Sequence, residues 1–176
     1  MLLEPLRRAL ERRGFRAVNW RYPSLGGSIE PHAARLAAKA KEFDDDTGVE
    51  RLHFVGHSMG AIVVRRALAI SRPRKLGRVV LLAPPNRGAR LADVALRLFG
   101  PRLVAATELC SHPDSYVNRL APTVDFDCGV IAAAWDHAVS LASTHLPGER
   151  DHLVLRSLHT LTLHRHTPGQ VGAFPA

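Results

Sequence analysis

Apolar positions in the first half of the chain alternate between two spacings. They recur every three or four residues from Leu3 to Leu10, with Arg and Glu between them, which predicts an amphipathic helix ending near Gly14. The same spacing over residues 29–43 predicts a second helix. Residues 15–20, which lie between the two, are predicted to form a short strand.

The second half of the chain continues this alternation. Strands are predicted at residues 51–55, 77–83, 130–135 and 152–155, and helices at residues 59–70, 91–99 and 167–174. The run from Val79 to Leu82 is continuously apolar, which is typical of a strand covered on both faces. Alternating helices and strands predict an α/β fold, in which a mostly parallel sheet carries helices on both faces.

Residues 96–127 interrupt the pattern. Their periodicity is weak and they contain several Pro, Ser and Asp residues, so they form either a lid-like excursion over a site or an ordinary surface excursion. The whole chain has 176 residues, of which 46% are hydrophobic and 23% charged. This length and composition predict one globular domain over residues 1–176.

Charge and composition narrow the function classes. The net charge of +8 is compatible with an anionic partner, but the arginines are scattered rather than grouped with aromatics, so no nucleic-acid partner is expected. No apolar run approaches the roughly 18 residues of a transmembrane segment. Without a secretory signal the default expectation is a cytoplasmic protein. Cys110 and Cys128 are expected to be free. Their spacing fits no metal motif and the sequence contains no H-E-x-x-H, so no metal or cofactor is predicted.

The most informative motif is Gly56-His57-Ser58-Met59-Gly60, which matches the pattern G-x-S-x-G. An apolar run ends directly before it and a helical pattern begins directly after it. In that context the motif predicts a nucleophile elbow, a sharp strand-to-helix turn that exposes the serine hydroxyl at the carboxyl edge of the sheet. The alternative is a glycine-rich turn with an ordinary surface serine.

A serine nucleophile needs a base, and the base needs a group that orients it. In doubly wound folds these partners follow the serine in the order acid, then histidine, in loops after later strands. Asp136 directly follows the predicted strand 130–135, and His159 follows the strand 152–155. The competing acids are Asp125 and Asp127, and the competing bases are His152, His164 and His166.

With these residues in place, the chain resembles the serine esterases and lipases of the α/β-hydrolase superfamily, especially its small bacterial members. Besides the elbow, residues 81–93 are similar to the family's T-P-H-x-G-S-x-L-A-D segment, residues 136–140 to its acid loop and residues 158–160 to its histidine loop. The resemblance implies hydrolysis of a small-molecule ester or lipid through an acyl-enzyme. Ser58 would be the nucleophile, His159 the base and Asp136 the orienting acid.

One departure from the family pattern affects the expected activity. The family's chain begins with an apolar strand ending in a His-Gly loop, which donates one of two oxyanion-hole amides, and no such segment precedes the first helix here. The other donor, the amide of Met59, is retained. The sequence therefore predicts either a start that lies upstream or a truncated member with reduced activity, since one oxyanion donor contributes about 10²–10³ in rate.

Three further residues are expected near the substrate. His57 lies inside the elbow, and Trp20 and Tyr22 end a predicted strand on the edge that should carry the site; packing roles in the core or at its rim are the alternative. Two other functions stay open beside ester hydrolysis. One is a weakly active or inactive hydrolase-like module whose basic surface binds an anionic partner, and the other is acyl transfer.

Overall fold

A parallel four-stranded sheet forms the centre of the molecule. The computed structural model describes residues 3–23, 27–161 and 167–173. The strands pair in chain order, and every pair is parallel. They are β1 (Leu52–His57), β2 (Leu76–Leu82), β3 (Cys128–Ala133) and β4 (Asp151–Leu155). The predicted α/β fold is confirmed, and each of these strands lies within two residues of its predicted bounds.

Helices cover both faces of this sheet. In chain order they are α1 (Glu4–Glu11), α2 (Ile29–Asp45), α3 (Met59–Ile70), α4 (Arg90–Phe99), α5 (Val104–Leu109), α6 (Tyr116–Arg119), α7 (Leu141–Thr144) and α8 (Thr167–Ala173), with a 3₁₀ turn at Gly100–Arg102. The alternation of side chains along β2 explains the two layers. Val79 and Leu81 pack in the core beneath α2 and α3, whereas Val80 and Leu82 pack in a second core with residues of α1 and α8.

The strand predicted at residues 15–20 is wrong, because the structure forms no strand there. Residues 16–23 make no backbone–backbone hydrogen bond within the described chain. A β-strand exists only where a neighbouring strand takes up its backbone N–H and C=O groups. Residues 15–22 instead line a groove of 1150 Å³ together with the whole of β1 and Ser58.

Helix α4 occurs where it was predicted, but its apolar stripe faces solvent. Leu91, Leu98 and Phe99 are 62%, 70% and 65% exposed, and Ala92 is the residue of α4 that is buried. Spacing shows that residues share a face of a helix, but it does not show which face has a partner. Within residues 96–127, α5 and α6 are short helices, and this segment does not line the groove beside Ser58. Its lid role stays a prediction.

No helix in the described ranges is both long enough and apolar enough to cross a membrane.

Candidate active site

Ser58 lies at a sharp turn between β1 and α3. Its backbone has φ 51° and ψ −125°, a conformation that non-glycine residues rarely adopt and that costs about 1–3 kcal/mol. The Ser58 N–H donates to the carbonyl of Leu82 at 2.8 Å, which fixes the turn to the end of β2. Gly56 permits the helix to start so close to the strand, because a Cβ there would lie 2.6 Å from Ala61 Cα.

The structure brings Ser58, His159 and Asp136 into one hydrogen-bonded chain. His159 Nε2 lies 3.0 Å from Ser58 Oγ, and His159 Nδ1 lies 2.7 Å from Asp136 Oδ2. The other carboxylate oxygen of Asp136 accepts from the N–H groups of Ala138 and Val139 at 2.8 and 2.9 Å. Because a carboxylate accepts at Nδ1, the neutral imidazole carries its proton there and presents the Nε2 lone pair to the serine hydroxyl.

The environment of Asp136 keeps its carboxyl group ionised. Burial alone would raise its pKa, but the hydrogen bonds from His159 and from the Val139 and Ala138 amides outweigh burial and hold the pKa below its ordinary value. An ionised carboxylate at this position both orients the ring of His159 and stabilises its protonated form.

The side chain of His57 is hydrogen-bonded to the histidine loop, residues 158–160. Its Nε2–H donates to the backbone carbonyl of His159 at 2.8 Å, and the two rings lie 4.9 Å apart. Burial lowers the pKa of His57 to about 4, so the ring is neutral near pH 7. The sequence placed His57 at the substrate. The structure places it on the groove wall with this nitrogen engaged by His159.

The first turn of α3 carries the amide expected to bind an oxyanion. Met59 is the first residue of that helix, and the earliest N–H groups of a helix have no intrahelical partner. These amides and the positive end of the helix dipole favour negative charge beside Ser58. The Met59 N–H is therefore available to a developing oxyanion.

Trp20 and Tyr22 lie in the same groove as Ser58 and His159. Their ring centroids are 5.2 Å apart, and a Cβ placed on Gly60 would lie 3.3 Å from the Tyr22 hydroxyl. Burial raises the pKa of Tyr22 to about 12, so its hydroxyl stays protonated and can donate. Trp20 and Tyr22 are also partly buried against the main core, so their role near a substrate stays a prediction.

The competing acids are engaged elsewhere. Asp125 pairs with Arg72, and Asp127 pairs with Arg150 at 2.7 Å.

Among the competing bases, His152 contacts Glu149 at 2.8 Å. His164 and His166 lie outside the described residues. Cys110 and Cys128 are free and buried, as expected.

The sequence profile described as "Alpha/beta hydrolase family" matches residues 2–170. The chain belongs to this family. The match covers nearly the whole chain, including the elbow at Ser58 and the loops that carry Asp136 and His159.

Two curated proteins are similar to parts of the chain. The chain is 33% identical over 126 residues to a putative carbamate hydrolase, RutD, of Pseudomonas savastanoi pv. phaseolicola, and this match covers 66% of the chain and 43% of that protein. It is 38% identical over 66 residues to the dihydrolipoyllysine-residue acetyltransferase component of the acetoin cleaving system of Cupriavidus necator, covering 38% of the chain and 17% of that protein. The chain thus spans less than half the length of both.

Among solved structures, the chain is similar to one described under LipS and LipT, two metagenome-derived lipolytic enzymes. The TM-score is 0.70 at 16% identity, and the match covers 98% of this chain and 86% of that one. At this level of identity the likeness concerns the fold.

Two features of the structure could not be found from the sequence motifs. One is the bond from His57 to the backbone of His159, since backbone acceptors leave no mark in a sequence. The other, away from Ser58, is a cluster of His145, Glu149 and His152, whose spacing differs from the H-E-x-x-H pattern of zinc sites.

Proposed function

We propose that the chain is a serine hydrolase that cleaves carboxylic esters through an acyl-enzyme. The observation that carries the proposal is the hydrogen-bonded chain from Asp136 through His159 to Ser58, with distances of 2.7 and 3.0 Å. Hydroxyl, imidazole and carboxylate in this order are the groups that convert a serine into a nucleophile.

In this mechanism Ser58 Oγ attacks the acyl carbonyl while His159 Nε2 takes the hydroxyl proton. The carbonyl oxygen becomes an oxyanion that accepts from the Met59 N–H. His159 then gives its proton to the departing alkoxide, which leaves as an alcohol. Water then attacks the acyl-enzyme while His159 takes a proton from it. His159 gives this proton to Ser58 Oγ as the acid is released, which restores the serine.

The groove supports an ester with an apolar portion. The side chains of Trp20 and Tyr22 line it, together with apolar residues such as Phe54 and Val63. A carbamate also has a carbonyl open to serine attack, and the relative from Pseudomonas savastanoi is named a putative carbamate hydrolase. Esters are the better proposal, because the nitrogen of a carbamate donates its lone pair into the carbonyl and makes that carbon less electrophilic than the carbonyl carbon of an ester.

The experiment combines active-site labelling with turnover. The chain, Ser58→Ala and Ser71→Ala are treated with a fluorophosphonate probe and assayed with p-nitrophenyl esters of increasing acyl length. Ser71 is an exposed serine at the end of α3 and provides a matched control. We expect labelling and turnover in the chain and in Ser71→Ala, and their loss by at least about 10³-fold in Ser58→Ala.

Equal labelling of all three proteins would contradict the assignment of Ser58. Absence of both labelling and turnover in the folded chain would contradict the enzymatic proposal and favour a non-catalytic module. Turnover that appears only when an alcohol acceptor is added would favour acyl transfer.

A further inference from the structure

Three side chains with metal-binding chemistry meet where the loop after α7 enters β4. His145 Nδ1 lies 3.0 Å from Glu149 Oε1, and His152 Nδ1 lies 2.8 Å from the same oxygen. The two imidazole rings are stacked with centroids 3.9 Å apart. His152 and Glu149 are largely buried, whereas the side chain of His145 is 53% exposed.

The hydrogen bonds around His152 fix where its proton lies. Its Nε2 is 3.3 Å from Thr144 Oγ1, and the Thr144 hydroxyl already donates to the carbonyl of Leu141 at 2.7 Å. The His152 Nε2 must therefore be the donor in its contact with Thr144. In a neutral ring this leaves a lone pair on Nδ1, directed at a carboxylate oxygen 2.8 Å away.

A contact of 2.8 Å between these two atoms needs a cation between them, which is either a proton on His152 Nδ1 or a metal ion. A second imidazole nitrogen, His145 Nδ1, faces the same oxygen at 3.0 Å, so three atoms that can ligate a metal lie within 4.8 Å of one another. One metal ion resolves all three contacts, because it accepts a lone pair from each nitrogen and from the carboxylate. The hydrogen bond from His152 Nε2–H to Thr144 Oγ1 then corresponds to the one that a metal-ligating histidine usually makes with its other ring nitrogen.

The backbone also holds the carboxylate in place. Glu149 Oε2 accepts from the Leu146 N–H at 3.1 Å, and the Glu149 N–H donates to the Leu146 carbonyl at 2.9 Å, which closes a tight turn. Gly148 in this turn has φ +87°, and a Cβ there would lie 2.2 Å from Val124 O. The turn therefore orients Glu149 Oε1 toward the histidines before any ligand binds.

We propose that His145, Glu149 and His152 form a binding site for a divalent transition metal, with Zn²⁺ as the fitting ion. Both Nδ1 atoms and Glu149 Oε1 would ligate it, and water would fill the fourth position. Tetrahedral zinc with bonds of about 2.0–2.1 Å separates its ligands by roughly 3.3 Å, so the observed 2.8 and 3.0 Å need to widen by a few tenths of an ångström. Two imidazoles disfavour Ca²⁺ and Mg²⁺, which prefer oxygen ligands.

The site's position indicates a structural role. His152 is the second residue of β4 and lies near its amino end, whereas His159 follows its carboxyl end. A metal there would tie the loop after α7 to the edge strand without touching Ser58. Binding is therefore expected to raise thermal stability with the logarithm of the Zn²⁺ concentration once this exceeds Kd, with ester turnover unchanged.

The test measures Zn²⁺ binding to the full chain by isothermal titration, together with the melting temperature at each Zn²⁺ concentration. His145→Ala is the main variant, because this half-exposed residue can be removed with little effect on folding; Glu149→Gln is the second. His112→Ala is the matched control, because His112 is an exposed histidine beside a carboxylate, Asp114, at 3.9 Å. His159→Ala is included to separate any zinc bound at the serine site.

We expect one Zn²⁺ per chain, retained in His112→Ala and His159→Ala and weakened at least tenfold in His145→Ala and Glu149→Gln. Substitution with Co²⁺ should give the visible absorption of a tetrahedral site in the chain but not in the two ligand variants. No saturable binding, or equal affinity in His145→Ala and His112→Ala, would overturn the proposal. A protein that binds no zinc but retains ester turnover would leave the proposed hydrolase function untouched.

Discussion

The Nε2 atom of His57 lies 2.8 Å from the backbone carbonyl oxygen of His159, so the residue before the nucleophile holds the residue expected to act as its base. This contact joins the elbow to the histidine loop independently of the bond between His159 Nε2 and Ser58 Oγ. It fixes the backbone of His159, whereas Asp136 fixes its ring. Two separate contacts thus determine where the imidazole lies.

The buried His57 predicts a pH dependence of stability. Its pKa falls from 6.5 to about 4 on folding, so between these values the unfolded chain binds more protons than the folded one. The contribution of His57 to the free energy of unfolding is therefore fully present above pH 6.5. It is lost as the pH falls toward 4, by up to about 3 kcal/mol. His57→Gln, which retains an N–H donor but does not titrate, should flatten the dependence of the unfolding free energy over this range.

Urea unfolding at intervals between pH 4 and 7 measures the effect. His112→Gln replaces an exposed histidine and should leave the slope of the unmodified chain unchanged. A His57→Gln slope equal to that of the unmodified chain would show that His57 is not the titrating group.

Replacing Asp136 by Asn should lower kcat by on the order of 10⁴-fold with a small change in KM. Oδ1 is held by the N–H groups of Ala138 and Val139, so the new amide nitrogen would face His159 Nδ1. A donor at that position reverses the tautomer and places the ring's proton on Nε2, where it cannot accept from Ser58. Steady-state kinetics with a p-nitrophenyl ester measure both constants.

The control for this substitution is Asp114→Asn, whose side chain is 86% exposed. It should retain full activity. If Asp136→Asn loses less than tenfold in kcat, the assignment of Asp136 as the orienting acid is wrong.

Gly56→Ala should destabilise the fold by about 1–3 kcal/mol and abolish serine labelling. The added methyl would lie 2.6 to 2.8 Å from the backbone of Gly60 and Ala61, which has no freedom to move without shifting α3 away from Ser58. Thermal unfolding and fluorophosphonate labelling report the two effects separately.

The matched substitution is Gly169→Ala in α8. Its nearest neighbour is a flexible Arg13 nitrogen at 3.7 Å, and alanine favours helix, so stability should stay equal or rise slightly. If the two variants change stability alike, the close approach at Gly56 is not what constrains the elbow.

The apolar side chains on the solvent-facing side of α4 should tolerate polar substitutions with little loss of stability. Leu98→Gln and Phe99→Ser together should change the unfolding free energy by no more than about 0.5 kcal/mol, while reducing binding of a hydrophobic dye. Leu81→Ala, at a fully buried position of β2, should instead cost about 2–5 kcal/mol. A large loss from the α4 pair would mean that this face packs against another surface.

Elements with one dominant pattern were predictable from the sequence. The apolar run of β2 and the longer apolar run of α3 are local signals, and the alternation of helices and strands predicts a parallel sheet, whereas the order of its strands was not predicted. The candidate serine, acid and histidine could be selected for a related reason. The carboxyl ends of parallel strands meet at one edge, so the position of a loop in the chain predicts its position in space.

The other features of the fold and site depend on which residues become neighbours in space, and a sequence pattern does not identify these. Residues 15–20 have strand-like composition, but pairing requires a partner at the right distance. The exposed stripe of α4 has helical spacing without a surface to bury it. The contact from His57 to His159 joins residues 102 positions apart through a backbone oxygen, which any residue type would supply.

The groove along β1 has a consequence for how rigidly the elbow is held. The N–H groups of Leu52 and Ser58 both point to the β2 side, so the alternation of a strand directs those of Val55 and His57 toward the groove. Hydrogen–deuterium exchange should therefore alternate along the strand, with slow amides at Phe54 and Gly56 and fast ones at Val55 and His57. Among the described residues, the strand that carries Ser58 pairs with β2 alone, so small sideways movements of the serine should require less energy than they would in a strand paired on both edges.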